Sequence, residues 1–229
     1  MSLKLHELTN DEDFKAINAV AHEAYDNPFN GVWELTKGTS PEEACARQLV
    51  WHKMQPGSHW VYVTDESTGE VIGGTRYIIY ETNPYAVEQP PRKASWLPEG
   101  PLRQVGDHLL ASLGKHRPVL MNKPHILISL CFVHSAHRKR GAANVMVEWV
   151  ARKADELGLE SFVESTEMAR RAYEKQGYYV IGEFNLDAQE ENPSKEFIAE
   201  RERLECPIHG FIMKRDPRRD PRDARDAKS

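Results

Sequence analysis

The chain has 229 residues, of which 40% are hydrophobic and 28% are charged, and its formal net charge is −5. This composition predicts one substantial folded domain, and the negative charge disfavours nucleic acid as a partner because phosphate binding needs clustered Lys and Arg. Three scattered cysteines indicate neither a metal site nor a disulfide framework, and no apolar segment is long enough to span a membrane, so we expect a metal-free cytoplasmic protein without a membrane partner.

The first eighty residues predict three strands and two helices. A short strand at 3–8 precedes a helix that carries Phe14 and Ile17 on its apolar side. A second helix is predicted from Ser40-Pro41 to about Lys53, because Ser40 can cap it and Pro41 suits its first turn. Residues 60–64 and 71–80 are rich in β-branched and aromatic residues and flank a polar turn, which predicts a hairpin.

Residues 81–124 interrupt this rhythm with many prolines. They contain one stretch with helical periodicity, from Leu102 to Leu113. Strand-like sequence resumes at His125, so we predict an insertion within a single domain and no boundary between two domains.

The second half of the chain alternates strands and helices. A nearly apolar central strand at 125–133, a helix ending at Gly158 and a strand at 159–164 predict a parallel crossover unit. A short helix to Gln176, a strand at 178–184, a helix near Phe197 and a last strand at 207–214 follow. We expect the domain to span 1–213 and the charged segment 214–229 to be disordered, because that segment has almost no apolar side chains.

The segment between the central strand and the next helix has the features of an anion-binding loop. A helix N-terminus directs backbone N–H groups and the positive end of its dipole towards one point. Gly141 allows the backbone to approach a phosphate, and Ala143 is small enough for the helix to pack on the strand. Basic side chains add charge, at Arg138, Lys139 and Arg140. Taken alone, this short pattern fits a solvated basic turn better than a phosphate site.

The sequence around this loop, residues 127–184, resembles the core of the GNAT superfamily of acyl-CoA N-acyltransferases. The family's Q/R-x-x-G-x-G/A signature is matched by Arg138, Gly141 and Ala143. Its Tyr, followed four residues later by Gly and an aromatic residue, is matched by Tyr173, Gly177 and Tyr178. The resemblance implies an α/β fold of GNAT type: a mixed, twisted sheet of six or seven strands with helices on both faces, split in a V at the cofactor.

The same resemblance implies acetyl-CoA as cosubstrate and gives roles to individual residues. The pyrophosphate is expected on the backbone of Arg138, Lys139, Arg140, Gly141, Ala142, Ala143 and Asn144. Phe132 or Val133 is expected to donate a backbone N–H to the thioester carbonyl, where the two central strands part. Tyr173 is the predicted proton donor to the departing thiolate.

The general base is open between three alternatives. Glu164, which ends the strand before the Tyr helix, matches an acidic position frequent in the family, but a purely structural carboxylate fits equally well. His134 ends the other strand and titrates in the right range, although a structural role is more common for such a residue. Water is the third alternative. Cys131 is expected to be a buried apolar residue and no carrier of the acyl group.

The acceptor is predicted to be a primary amine of a small molecule, which attacks acetyl-CoA directly in a ternary complex. Residues 81–124 are expected to form a lid over it, and four tryptophans can line its pocket: Trp33, Trp51, Trp60 and Trp96. The alternatives are a protein or peptide acetyltransferase, which needs an open groove, and a non-catalytic acyl-CoA-binding module. We expect a monomer or a homodimer.

Overall fold

The computed structural model describes residues 2–38 and 40–218, which fold around one seven-stranded sheet. The strands are β1 (Leu3–Glu7), β2 (Ser58–Asp65), β3 (Val71–Tyr80), β4 (His125–Val133), β5 (Glu160–Ser165), β6 (Tyr179–Leu186) and β7 (Ile208–Arg215). The helices are α1 (Glu12–Asp26), α2 (Gly31–Thr36), α3 (Pro41–Met54), α4 (Pro101–Gly114), α5 (Arg117–Leu120), α6 (Ala142–Leu157), α7 (Glu167–Glu174) and α8 (Lys195–Arg203).

The sheet is mixed, as predicted. Its strand order is β1-β2-β3-β4-β5-β7-β6, and every neighbouring pair is antiparallel except β4 and β5. The parallel pair is joined by α6, which confirms the predicted crossover unit.

The two parallel strands separate halfway along their length. Pairing runs only from His125↔Glu160 to Ile128↔Val163, although β4 continues to Val133 and β5 to Ser165. The register between β3 and β4 shifts at the same level, which leaves Ser129 as an extra residue in β4. A bulge of this kind bends a strand and ends regular pairing. The predicted V-shaped split is therefore present, and its apex lies at Ile128 and Val163.

Helices cover both faces of the sheet. On one face α6 buries an apolar stripe against β2, β3 and β4, formed by Ala142, Met146, Val147, Val150 and Ala154. On the other face α1 packs Phe14 and Ile17 against Trp60 and Phe132. Together these contacts fix the N-terminal end of α6 next to the open end of the split.

Helix α3 begins as the sequence predicts. Ser40 Oγ accepts a hydrogen bond of 3.2 Å from the Glu43 N–H, and Pro41 occupies the first turn. Serine caps satisfy an N–H that has no partner inside the helix. Helices α2 and α5 were not predicted, because six and four residues are too few to show periodicity.

The insertion at 81–124 contains α4, at the predicted place, and α5. Helix α4 buries Val105 and Leu109 against Leu35 of α2 and Phe197 of α8. The insertion is thus anchored by an apolar core of its own on the β6 side of the molecule.

Strand β7 extends through Arg215, so the boundary predicted at residue 213 lies two residues too early. Arg215 is only 3% exposed, and its guanidinium donates to both carboxylate oxygens of Asp155 at 2.8 and 2.7 Å. A buried cation of this kind requires a partner. The disorder predicted for 214–229 is therefore wrong for its first two residues, and residues 219–229 lie outside the described part of the chain.

Candidate active site

A single cleft of about 1190 Å³ runs through the split in the sheet. One end lies at the loop before α6, where Lys139 and Gly141 line it. The middle is lined by the separated halves of β4 and β5. The other end, here called the distal chamber, lies under α2, α3 and the insertion, and is lined by Trp33, Gln48, Trp51, Arg76, Arg92, Lys93, Trp96, Arg117 and Glu164.

The loop before α6 offers a run of free backbone donors. Gly141 has a φ of 96° and Lys139 a φ of 62°, so the chain turns through the left-handed region twice before the helix starts. Among the described residues, no acceptor takes a hydrogen bond from the N–H groups of residues 139–144. Six consecutive free N–H groups at a helix N-terminus can bind an anion, because they add to the positive end of the helix dipole.

The three basic side chains of this loop make different contacts. Arg138 donates to the backbone carbonyl oxygens of Val133 at 3.2 Å and Ala24 at 2.7 Å, and so ties the loop to β4 and α1. Arg140 pairs with Asp65 at 2.6 Å and does not line the cleft. Lys139 lines the cleft and makes no ion pair within the described residues. The charge predicted for phosphate contact is therefore carried mainly by Lys139.

Two further basic residues line the cleft near the loop. Arg171 and Lys175 lie on or directly after α7, opposite the N-terminus of α6. No pattern in the sequence distinguishes these two residues, because they belong to an ordinary charged helix.

The alanines after Gly141 exchange the roles predicted for them. Both alanines line the cleft, but Ala142 is 2% exposed and packs in the core beside Met146, whereas Ala143 is only half buried. The helix therefore turns one residue further than the sequence pattern suggests. Ala142 packs the helix on the sheet, and Ala143 and Asn144 border the anion site.

Strand alternation distinguishes the two residues predicted to donate an N–H to the thioester. The His134 N–H donates to Ile72 O at 2.9 Å, on the β3 side. Because successive residues of a strand point their N–H groups to opposite sides, Phe132 also faces β3, and Val133 faces the open side. The Phe132 prediction is therefore wrong by geometry, and Val133 carries the free donor at the split.

Tyr173 lies in the cleft where β4 and β5 part. It is 4% exposed, and its ring packs edge-on against Tyr178 at 5.6 Å between centroids. Burial, followed by the neighbouring Cys131 and Tyr25, holds the pKa of Tyr173 well above its usual range. Tyr173 is thus a neutral phenol at physiological pH and can donate a proton.

Glu164 is engaged in an ion pair. Arg117 Nε and Nη2 donate to its two oxygens at 2.7 and 2.5 Å, and His116 Nε2 lies 2.8 Å from Oε1, out of line for a good hydrogen bond. Burial alone would raise the pKa of Glu164, but Arg117 and His116 lower it to about 2. A general base works best with a pKa near the operating pH. The environment therefore disfavours the predicted base role.

His134 and Cys131 are the two other side chains near the split that could take part in the reaction. His134 accepts a hydrogen bond from the Ala136 N–H at 3.2 Å, lies 3.5 Å from Glu23 and does not line the cleft. Cys131 lines the cleft, and burial raises the pKa of its thiol, which keeps the sulfur protonated. Neither environment activates the side chain.

Aromatic rings form the walls of the distal chamber. Trp51 and Trp96 meet edge-to-face with centroids 4.9 Å apart, and Trp96 Nε1 donates to Leu35 O at 2.8 Å. Trp33 lines the same space, whereas Trp60 packs in the α1 core against Phe14. Three of the four tryptophans predicted for the pocket are thus lining residues.

Within the described residues, no group of three or more His, Cys, Asp and Glu side chains is arranged to hold a metal ion. The helices of residues 2–38 and 40–218 include none that is both long and apolar enough to cross a membrane.

A sheet split at its parallel pair, an anion-binding loop at the open end and a neutral phenol at the apex define the class of acyl-CoA-dependent N-acetyltransferases. The model of the acetyltransferase (GNAT) family matches residues 21–178 of this chain. The chain therefore belongs to the GNAT acetyltransferase family. No curated protein sequence matches it significantly.

Solved structures share the fold at low sequence identity. Arylalkylamine N-acetyltransferase 2 from Aedes aegypti has a TM-score of 0.67 and 13% identity, over 95% of this chain and 100% of that chain. A phosphinothricin acetyltransferase from Sinorhizobium meliloti, in complex with AcCoA, has a TM-score of 0.55 and 12% identity, over 95% of this chain and 89% of that chain. A structure from Corynebacterium glutamicum is named histone acetyltransferase HPA2 and related acetyltransferase. It has a TM-score of 0.56 and 17% identity, over 96% of this chain and 99% of that chain.

Proposed function

We propose that the protein transfers the acetyl group of acetyl-CoA to the primary amine of a small molecule, by direct attack in a ternary complex. The observation that supports this most is the continuity of one cleft from the free N–H groups of residues 139–144 to Tyr173 and the distal chamber. The pyrophosphate of acetyl-CoA fits the free N–H groups, the thioester fits beside Tyr173, and the acceptor amine fits the distal chamber.

The reaction needs a group that stabilises the oxyanion, a proton donor for the leaving sulfur and an acceptor for the excess proton of the amine. The backbone N–H of Val133 stabilises the oxyanion that forms when the amine nitrogen attacks the thioester carbon. Tyr173 donates its proton to the sulfur as the carbon–sulfur bond breaks, so that CoA leaves as a thiol, and the tyrosinate regains a proton from water. The excess proton on the amine passes to water, because Glu164 is held by Arg117 and His134 lies outside the cleft.

The insertion favours a small acceptor over a peptide. Arg92, Trp96 and Arg117 come from residues 81–124 and line the distal chamber, so we propose that this segment serves as the lid. A peptide substrate needs an open groove at this position. Two of the similar structures are named as arylalkylamine and phosphinothricin acetyltransferases, which supports a small amine. Cytoplasmic location and a monomeric or dimeric state stay predictions.

The decisive experiment is turnover of acetyl-CoA by the purified protein against a panel of small amines and peptides, followed by release of free thiol. We expect thiol release that depends on a small amine. Release with peptides alone would favour the protein acetyltransferase alternative. Binding of acetyl-CoA without release would indicate the non-catalytic module, and no binding at all would contradict the proposal.

A further inference from the structure

The cleft carries a large excess of basic side chains in a chain whose net charge is −5. Its described lining includes eight Arg or Lys residues and two carboxylates, Glu164 and Glu167. Four of the basic residues lie at the loop end: the phosphates of CoA account for Lys139, Arg171 and Lys175, and the backbone carbonyls of Val133 and Ala24 hold Arg138. The other four line the distal chamber: Arg76, Arg92, Lys93 and Arg117.

Only one of these four has a carboxylate partner. Arg117 pairs with Glu164, which uses both oxygens of that side chain. Glu167 is exposed at the start of α7. Arg76, Arg92 and Lys93 make no ion pair with any of the described residues. The distal chamber therefore keeps a positive charge that the chain itself does not neutralise.

Arg76 is the most informative of the three because it is 9% exposed. Its guanidinium donates to Ser58 Oγ at 3.0 Å and to Trp51 O at 3.1 Å, both of which are neutral acceptors. Burial lowers the pKa of Arg76 to about 10, so it is still charged at neutral pH. Burying a cation without a counter-ion is costly, so an anion bound beside Arg76 would stabilise it.

Two buried polar groups of the same chamber also have no partner. Trp33 is 3% exposed and Gln48 is 2% exposed, and neither Trp33 Nε1 nor Gln48 Oε1 makes a hydrogen bond with the described residues. An indole N–H is a donor only, so its natural complement is an oxygen acceptor. Buried groups without partners are rare in native proteins, and these two line the cleft, where a polar group of a bound molecule or a water can satisfy them.

We propose that the acceptor amine carries an anionic oxygen group, a carboxylate or a phosphate, which Arg76 and Arg92 hold in the distal chamber. This inference rests on the proposed function and narrows its substrate class. The planar fork of an arginine matches two oxygens of such a group. Trp51 and Trp96 provide apolar walls for the body of the molecule, so an amino acid with a large apolar side chain fits best.

The test compares pairs of amines that differ in the anionic group alone. L-phenylalanine and phenethylamine differ by a carboxylate, and O-phosphoethanolamine and ethanolamine differ by a phosphate. We expect kcat/KM at least about tenfold higher for the anionic member of one pair, a difference of about 1.4 kcal/mol. The pair that shows it identifies the oxygen group.

Variants then locate the effect. Arg92→Gln and Arg76→Lys should each reduce the preference for the anionic amine about tenfold, through a higher KM for that amine. Lys123→Gln is the matched control, because Lys123 is exposed and lies outside the cleft. Arg92 is exposed and makes no ion pair with the described residues, so its variant tests the inference even if changes at Arg76 impair folding.

Failure of this inference differs from failure of the proposed function. If phenethylamine and ethanolamine are turned over as well as their anionic partners or better, the anionic group is not recognised. Acetyl transfer as the proposed function would be unaffected. No thiol release with any amine would contradict the proposed function. Calorimetry with the N-acetylated forms of all four amines then tests the anion site without turnover. Equal affinity of the two members in both pairs, or binding of none of the four compounds, would overturn the inference.

Discussion

Arg117 donates hydrogen bonds to both oxygens of Glu164, at 2.7 and 2.5 Å, and thereby joins the insertion to the end of β5. Both side chains are largely buried, with 7% and 10% exposed. Removing one member of a buried pair leaves the other charge without compensation. The pair therefore joins two walls of the distal chamber and disfavours proton transfer by Glu164.

The ion pair predicts a coupled effect on stability. Arg117→Met and Glu164→Gln should each lower the free energy of unfolding by about 3 to 5 kcal/mol, and the double variant should lose clearly less than the sum. Urea denaturation measures all three. The control is the exposed pair Arg103 and Glu99, where the same substitutions should cost less than about 1 kcal/mol. Additive losses at Arg117 and Glu164 would contradict the coupling.

The lowered pKa of Glu164 also predicts how the free energy of unfolding depends on pH. Its pKa is lowered to about 2 in the folded chain from an ordinary value of 4.5, so it binds its proton more readily when the chain is unfolded. Its contribution is complete above pH 4.5 and is lost as the pH falls towards 2, and it amounts to roughly 3 kcal/mol. Glu164→Gln should therefore flatten the stability profile between pH 4.5 and 2. An unchanged slope would show that other carboxylates cause the acid sensitivity.

Much of the fold follows from local patterns that each act over a few residues. The Ser40 cap, the apolar stripe of α6 and the left-handed Gly158 at its end are all readable from neighbouring residues. The V-shaped split was predicted only through the family resemblance. The bulge at Ser129, where the strands begin to part, has no sequence signal of its own.

The candidate site is less accessible to sequence because its contacts are distant along the chain. Arg117 and Glu164 are separated by 47 positions, and Arg140 and Asp65 by 75. Nothing near Glu164 indicates that a buried arginine will meet it, so the base role was a reasonable prediction from the strand end alone. In the same way, Arg138 and Arg140 read as phosphate ligands until their partners are known.

Gly141 and Gly158 form a matched pair for testing the loop. Both have a positive φ, of 96° and 64°, and a Cβ at either position meets no atom within 4 Å. Alanine should therefore impose a similar backbone cost of about 1 to 2 kcal/mol at each. Only Gly141→Ala should also raise the KM for acetyl-CoA, by roughly tenfold, because the loop N–H groups shift away from the pyrophosphate. Equal KM values for the two variants would argue against a phosphate site at this loop.

Tyr173 provides the direct test of the proton donor, with Tyr178 as its control. Tyr173→Phe keeps the ring that packs at the apex and removes only the hydroxyl, so the affinity for acetyl-CoA should stay nearly the same. Turnover should fall by roughly 100-fold or more, since general acid catalysis contributes about that much. Steady-state kinetics with saturating amine, together with binding of CoA by calorimetry, separates the two effects.

Tyr178 is a fair control because it is equally buried and serves structure alone. It is 3% exposed, its hydroxyl lies 2.6 Å from Ser161 Oγ, and it does not line the cleft. Tyr178→Phe should lower the free energy of unfolding by about 1 kcal/mol and leave turnover unchanged. If both variants lose turnover in proportion to their stability, the effect at Tyr173 is structural. If Tyr173→Phe turns over normally, its hydroxyl is not the acid, and the leaving thiolate takes its proton from water.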